Sequence, residues 1–177
     1  MIRILVALSV AFLAAGCMDE EVAEKPDPVT LTAEAVGYFC QMNVLEHEGP
    51  MAQIHLAGYP APVWFTQIRD AVAYTRMPEE TTEIIAIYVS DMGQAPSWST
   101  PGADNWVDAD AAVFVIGSRQ AGGMGAPEAV PFGSRNDAEA FVASNGGEIV
   151  SLADIPDAYV LSPVDTAAFA ETSPGAE

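Results

Sequence analysis

The sequence predicts an α+β fold built from two ββαβ units arranged as an internal repeat. Three observations predict it. Short apolar or alternating runs of strand length flank one stretch with the 3.6-residue period of a helix, and this order occurs twice. The two occurrences superimpose at a common offset of 67 residues, which sets Phe65 on Phe132, Asp70 on Asp137, Ala71 on Ala138 and Tyr74 on Phe141. Each helical stretch also meets a stop signal, Pro78 in one case and Asn145-Gly146-Gly147 in the other.

In the first unit, residues 34–90, the run 52–57 alternates apolar Ile54 and Leu56 with polar Gln53 and His55. That is the period of a half-buried strand, and Gly58 ends it. Val63-Trp64-Phe65 is a second short strand, and Thr66 is placed to cap a helix whose inner face is Ile68, Ala71, Val72 and Thr75. Residues 84–89 are nearly all β-branched or aromatic, which fits a buried central strand.

Residues 91–110, with Trp98 and Trp106 as packing anchors and little periodicity, connect to the second unit at 111–160. There, 111–116 and 129–132 are strands. Ser134 caps a helix with Asp137 at the capping-box position and Ala138, Phe141 and Val142 on its face, and 149–152 is the last strand. From Gly58 to Phe65 is 7 positions and from Gly117 to Phe132 is 15, so the second hairpin carries 8 extra residues. Among them is Gly122-Gly123-Met124-Gly125. Glycine on both sides gives the backbone freedom to bring Met124 up to another part of the molecule, and a loose surface loop is the other reading.

The ends read differently. Residues 1–16 combine a short basic start with an apolar run too short to span a bilayer, and small residues lead directly into Cys17. This resembles a bacterial lipoprotein signal, with Ala14 where Leu is usual, and it makes Cys17 the lipid-bearing N-terminus, tied to a membrane through its acyl chains. Residues 17–33, acidic and with Pro26 and Pro28, read as a flexible tether, and 161–177 as a disordered tail. Met18 behind the lipidated cysteine favours the outer membrane, facing the periplasm, while Asp19 argues the other way. The formal charge of −19 makes nucleic acid and anionic headgroups poor partners.

After lipidation of Cys17, Cys40 is the one remaining thiol, in an oxidising compartment and without a disulfide partner. Two positions on is Met42, and an extended segment would put both sulfurs on one face. The bland reading makes both ordinary buried residues. Phosphate-loop, nucleophile-elbow and zinc motifs are missing from the sequence. His47 and His55 alone supply a zinc or copper(II) site poorly. A thiolate with thioethers suits Cu(I). His55 is a possible fourth donor or a hydrogen-bonding partner behind the ligands, and Met92 is the packing methionine most worth testing. Two rival classes are a thiol enzyme with Cys40 as nucleophile and His47 or His55 as base, and a metal-free structural lipoprotein adaptor.

Cys40-Gln41-Met42, His47-Glu48-Gly49-Pro50 with Gln53-Ile54 behind, the Gly-Met-Gly loop at Met124, Pro131-Phe132 and Gly146-Gly147 together resemble the NosL family over roughly residues 36–160. The resemblance implies a fold of two ββαβ units and a non-enzymatic Cu(I) metallochaperone with Cys40, Met42 and Met124 as ligands. It also implies delivery of copper for assembly of nitrous oxide reductase through an ABC-transporter complex with a periplasmic, carbohydrate-binding-like NosD-type subunit. Many members have glycine between the cysteine and the methionine. Gln41 departs from that pattern.

Overall fold

The computed structural model describes residues 25–164, so the expected signal peptide, Cys17 and residues 165–177 lie outside the described residues. In the first half, β1 (Ala52–Leu56), β2 (Val63–Phe65), β3 (Ile84–Ser90) and β4 (Trp106–Asp108) form an antiparallel sheet in the order β2-β1-β3-β4, with α1 (Ile68–Arg76) between β2 and β3 in the chain. In the second, β5 (Val113–Ile116), β6 (Val130–Phe132) and β7 (Glu148–Val150) form an antiparallel sheet in the order β6-β5-β7, with α2 (Arg135–Asn145) before β7. A short α3 (Asp157–Leu161) follows. Both halves thus run strand, strand, helix, strand, with the first strand in the middle of each trio.

Local chemistry explains the boundaries. α1 stops at Arg76 because Met77, the residue before Pro78, takes an extended ψ of 123°. α2 stops at Gly146, whose φ of 72° suits glycine and whose amide bonds to Val142 O. β3 is paired on both edges, as its β-branched run predicts. Its second partner is β4, which lies inside the connecting segment. Trp106 of that strand packs against Trp64 at 5.8 Å between ring centroids.

Apolar residues of both halves share one core. Ile54, Phe65, Ile68, Val72 and Val89 meet Phe114, Ile116 and Ala129 from the second half, with Ile155 and Val160 closing the cluster near α3. Removing that much apolar surface from water is the main source of stability, at about 25 cal/mol per Å².

Two expectations need correction. β1 is not half-buried, because all five of its residues are buried. The expected tether over 17–33 is not free over its second half either: from Lys25 onward it crosses the far face of the first sheet and covers it. Gln53, fully buried, accepts from Val29 N and donates to Val29 O, both at 2.9 Å. Tyr88 Oη donates to Pro26 O at 2.7 Å, and Lys25 pairs with Asp108. The polar half of the β1 alternation therefore faces a strap of backbone instead of water, and Gln53 meets it by offering one donor and one acceptor.

His55 belongs to the same arrangement. The two Val29 contacts fix the Gln53 amide so that its Oε1 faces His55 Nε2 at 2.9 Å, and His55 Nε2–H donates to it. Replacing Gln53 by alanine should cost about 1–3 kcal/mol in urea unfolding. It should also speed hydrogen exchange of the Val29 amide in the otherwise folded protein. Unchanged exchange there would mean that the strap is held by other contacts.

Candidate metal centre

Cys40 and Met42 do not lie on a strand. Residues 36–43 fold back on themselves, with a Val36–Asn43 bridge, Gly37 N bonded to Met42 O at 2.9 Å and Gln41 N to Gly37 O at 2.9 Å. The turn closes because Gln41 takes φ +57°, the one non-glycine residue with positive φ among those described. A side chain there costs about 1–2 kcal/mol. The Gln41 amide offsets part of it by donating to Tyr38 O at 2.6 Å. Gly37 is required on the inside, since a Cβ there would stand 2.5 Å from Cys40 Sγ. The whole turn is fastened to β2 through Tyr38 N and Trp64 O at 2.7 Å.

Gln41 thus occupies the position where many members of the resembled family carry glycine. Gln41→Gly should stay within about 0.5 kcal/mol of the natural protein, since the relieved backbone offsets the lost hydrogen bond. Gln41→Val should lose about 1–2 kcal/mol, because a branched Cβ is disfavoured at this φ. Thermal unfolding separates the two, and an equal loss in both would show that the side-chain bond outweighs the backbone.

Cys40 is half-buried, with Sγ 3.7 Å from Thr66 Oγ1. Thr66 was expected to cap α1, yet its hydroxyl faces the thiol and the N-cap is Gln67, whose side chain does not cap the helix amides. Gln67 Oε1 instead accepts from Met124 N at 3.4 Å. The end of β2 and the start of α1 therefore carry Cys40 on one residue and the Met124 loop on the next. The loop's glycines serve close approach. A Cβ on Gly123 would lie 2.6 Å from Glu48 O and 3.1 Å from Thr66 O, and one on Gly122 would lie 2.9 Å from Gln67 Oε1. Met42 and Met124 are each 40% exposed, which suits groups that must be reached from outside.

The two histidines part company. Ala52 of β1 pairs with Phe65, the residue before Thr66, and His55 is three residues further along β1, about 10 Å of strand. It lies under the strap, hydrogen-bonded to Gln53, and burial pushes its pKa down. His55 therefore stands apart from the sulfurs. His47 is the nearer imidazole: its Cβ is 3.0 Å from where Gly123 would place a side chain. Its Nδ1 is 3.0 Å from Asn43 O, which can only accept, so Nδ1–H donates to it. Neither ring pairs with Cys40. Met92 packs beside the Val115, Val130 and Phe132 cluster.

The residue that sequence reasoning missed is Glu128. It is fully buried, and its carboxyl accepts from Ile68 N at 3.2 Å, Arg69 N at 2.9 Å and Ala129 N at 2.8 Å. Burial pushes its pKa up to about 8 against the pull of these amides, with Asp70 adding to the rise. Arg69 faces away, toward Tyr159 O and Ser162 O. The native state keeps the proton up to about 8, whereas an unfolded chain releases it near 4.5, so this group's contribution to stability falls as pH rises through that window. Urea unfolding between these limits should show that decline, and Glu128→Gln should flatten it. An equal slope in the variant would assign the decline to other groups.

Among the described residues no three His, Cys, Asp or Glu side chains group to hold a metal. A metal held near Cys40 would therefore draw on the methionines. Fold and site together define a small two-unit α+β protein with a sulfur-bearing rim. The NosL family model matches residues 28–160, and the chain belongs to the NosL family. It is 54% identical over 164 residues, covering 92% of this chain and 84% of the relative, to a copper-binding lipoprotein NosL of Achromobacter cycloclastes. A copper-binding lipoprotein NosL of Stutzerimonas stutzeri is 29% identical over 88% of this chain and 80% of its own. The crystal structure of the copper chaperone NosL from Shewanella denitrificans is similar with a TM-score of 0.68 and 28% identity, over 76% of this chain and 98% of that one.

Proposed function

We propose that this protein is a lipid-anchored copper chaperone that carries one Cu(I) on Cys40, Met42 and Met124 at the periplasmic face of the cell envelope. In this reading it is not an enzyme, and it hands copper to an ABC-transporter complex with a NosD-like subunit for assembly of nitrous oxide reductase. The observation that carries the reading is the seating of the Cys40 turn and the Met124 loop on adjacent residues, Thr66 and Gln67, with both methionines half-exposed. The names of its relatives, copper-binding lipoprotein and copper chaperone, support it.

Chemistry supports the oxidation state. One thiolate and two neutral thioethers are soft donors that hold a d¹⁰ ion without demanding a fixed geometry. Two thioethers release the ion more readily than two more thiolates would, which suits a carrier. His47 is the nearer imidazole that could join them, while His55 is buried and bonded to Gln53. A formal charge of −19 favours a partner with a basic face, an attraction that salt screens.

Anaerobic Cu(I) titration against a competing chelator tests the site. Cys40→Ser should abolish tight binding, Met42→Ala and Met124→Ala should each weaken it by about tenfold or more, and His55→Ala should leave it unchanged. Full affinity in Met124→Ala would remove the loop from the site. In a deletion strain respiring nitrous oxide at limiting copper, the reductase should lack its copper–sulfur cluster, and the Cys40→Ser protein should fail to restore it. A fully metallated reductase in that strain would sink the delivery role.

A further inference from the structure

We propose that Glu128 is a positioning residue of the metal centre, holding the start of α1 so that Thr66 and Gln67 stay free to seat Cys40 and the Met124 loop. This rests on the copper reading given above.

A helix begins with amides that have no partner inside it, and when these are buried something must accept from them. In α1 the side chains that local rules would recruit are Thr66 and Gln67. Neither serves. Thr66 Oγ1 is 3.7 Å from Cys40 Sγ, and Gln67 Oε1 accepts from Met124 N at 3.4 Å. They are available for this because Glu128, from the second half of the chain and four residues beyond Met124, takes Ile68 N and Arg69 N itself. Its place is held from several sides: Ala129 N donates to the same carboxyl, Tyr159 Oη donates to Glu128 O at 2.9 Å, and Ile68 is fully buried.

The foot of the methionine loop rests on the same group. A Cβ on Gly122 would stand 2.5 Å from Glu128 Oε2 and 2.9 Å from Gln67 Oε1, so this residue has room only as glycine. Without the Glu128 acceptor, the buried amides of Ile68 and Arg69 would draw Gln67 Oε1, the nearest side-chain acceptor at the N-cap, away from Met124 N. The loop would then lose its one side-chain tether to α1. The effect is selective. Met42 is held by its own turn through Gly37 N, with no link to Glu128, so its contribution to binding should persist.

The test is a double-mutant cycle on Cu(I) affinity, measured with the full mature protein and a chromogenic Cu(I) chelator. Glu128→Leu, close to glutamate in size and without an acceptor, should weaken binding by about as much as Met124→Ala, roughly tenfold, the equivalent of one ordinary contact. Met124→Ala should then cost nothing further in the Glu128→Leu background, while Met42→Ala should cost its full amount there. Glu128→Gln, which keeps one acceptor oxygen and turns the other into a donor, should show the same pattern and covers the case in which Glu128→Leu folds poorly. Losses from Glu128→Leu and Met124→Ala that multiply would overturn the proposal. Amide hydrogen exchange of the metal-free protein separates it from the copper reading: Met124 N–H should exchange about tenfold faster in both variants. Unchanged exchange would overturn the positioning role even if copper binds, and faster exchange in a protein that binds no copper would leave the loop tether standing and remove only the metal.

Discussion

The first two amides of α1 reach out of one half of the chain and are answered by a carboxyl from the other. The side chains just before those amides, Thr66 and Gln67, face Cys40 and the Met124 loop. A fully buried acid is costly to charge, and even as a neutral acid its oxygens need partners. Three backbone amides supply them, and in doing so they fix β6's approach, the start of α1 and the end of β2 relative to one another. Apolar burial holds the two halves together through a core that mixes Ile54, Phe65 and Ile68 with Phe114 and Ala129, yet such contacts alone tolerate small sliding. A hydrogen-bonded carboxyl does not. The geometry required where a turn and a loop meet is set by the directional contact, and the energy by the apolar one.

Much of this fold was legible because its elements carry unmixed periods. The β-branched run of β3, the helical stripe at Ile68, Ala71 and Val72, and the glycine pair after α2 each point one way locally and are right globally. Legibility failed where tertiary partners changed what a residue was for. Gln53 and His55 read as a wet strand face, and they are a dry one, since no local signal says that residues 25–31 return to cover them. Thr66 reads as a cap, but a cap is needed only if no better acceptor arrives, and Glu128 arrives from 60 residues away. Among many surface acids, nothing marks Glu128 as buried. The residues of the proposed centre were named from donor chemistry and the family resemblance, while the backbone that carries Cys40 and Met42 was misread. A left-handed Gln41 turns what looks like an extended Cys-x-Met into a tight reversal.

That reversal has a consequence for exchange chemistry. Sulfurs two residues apart on a strand would share a face of the sheet, where neighbouring side chains limit access. On this turn, whose Tyr38 and Phe39 pack on Phe65 and Tyr74, Cys40 is half-buried while Met42 extends into solvent, as Met124 does from its own loop. In the proposed centre the thiol group sits beside Gly37 and Thr66, and the neutral, less reactive thioethers are the ones presented outward. A partner's ligand approaching such a centre meets the weaker bonds first and can replace them one at a time, so the ion need never be free in water. In the proposed centre, tight retention and fast transfer would be compatible because different atoms would carry them: the thiolate would retain, and the thioethers would yield.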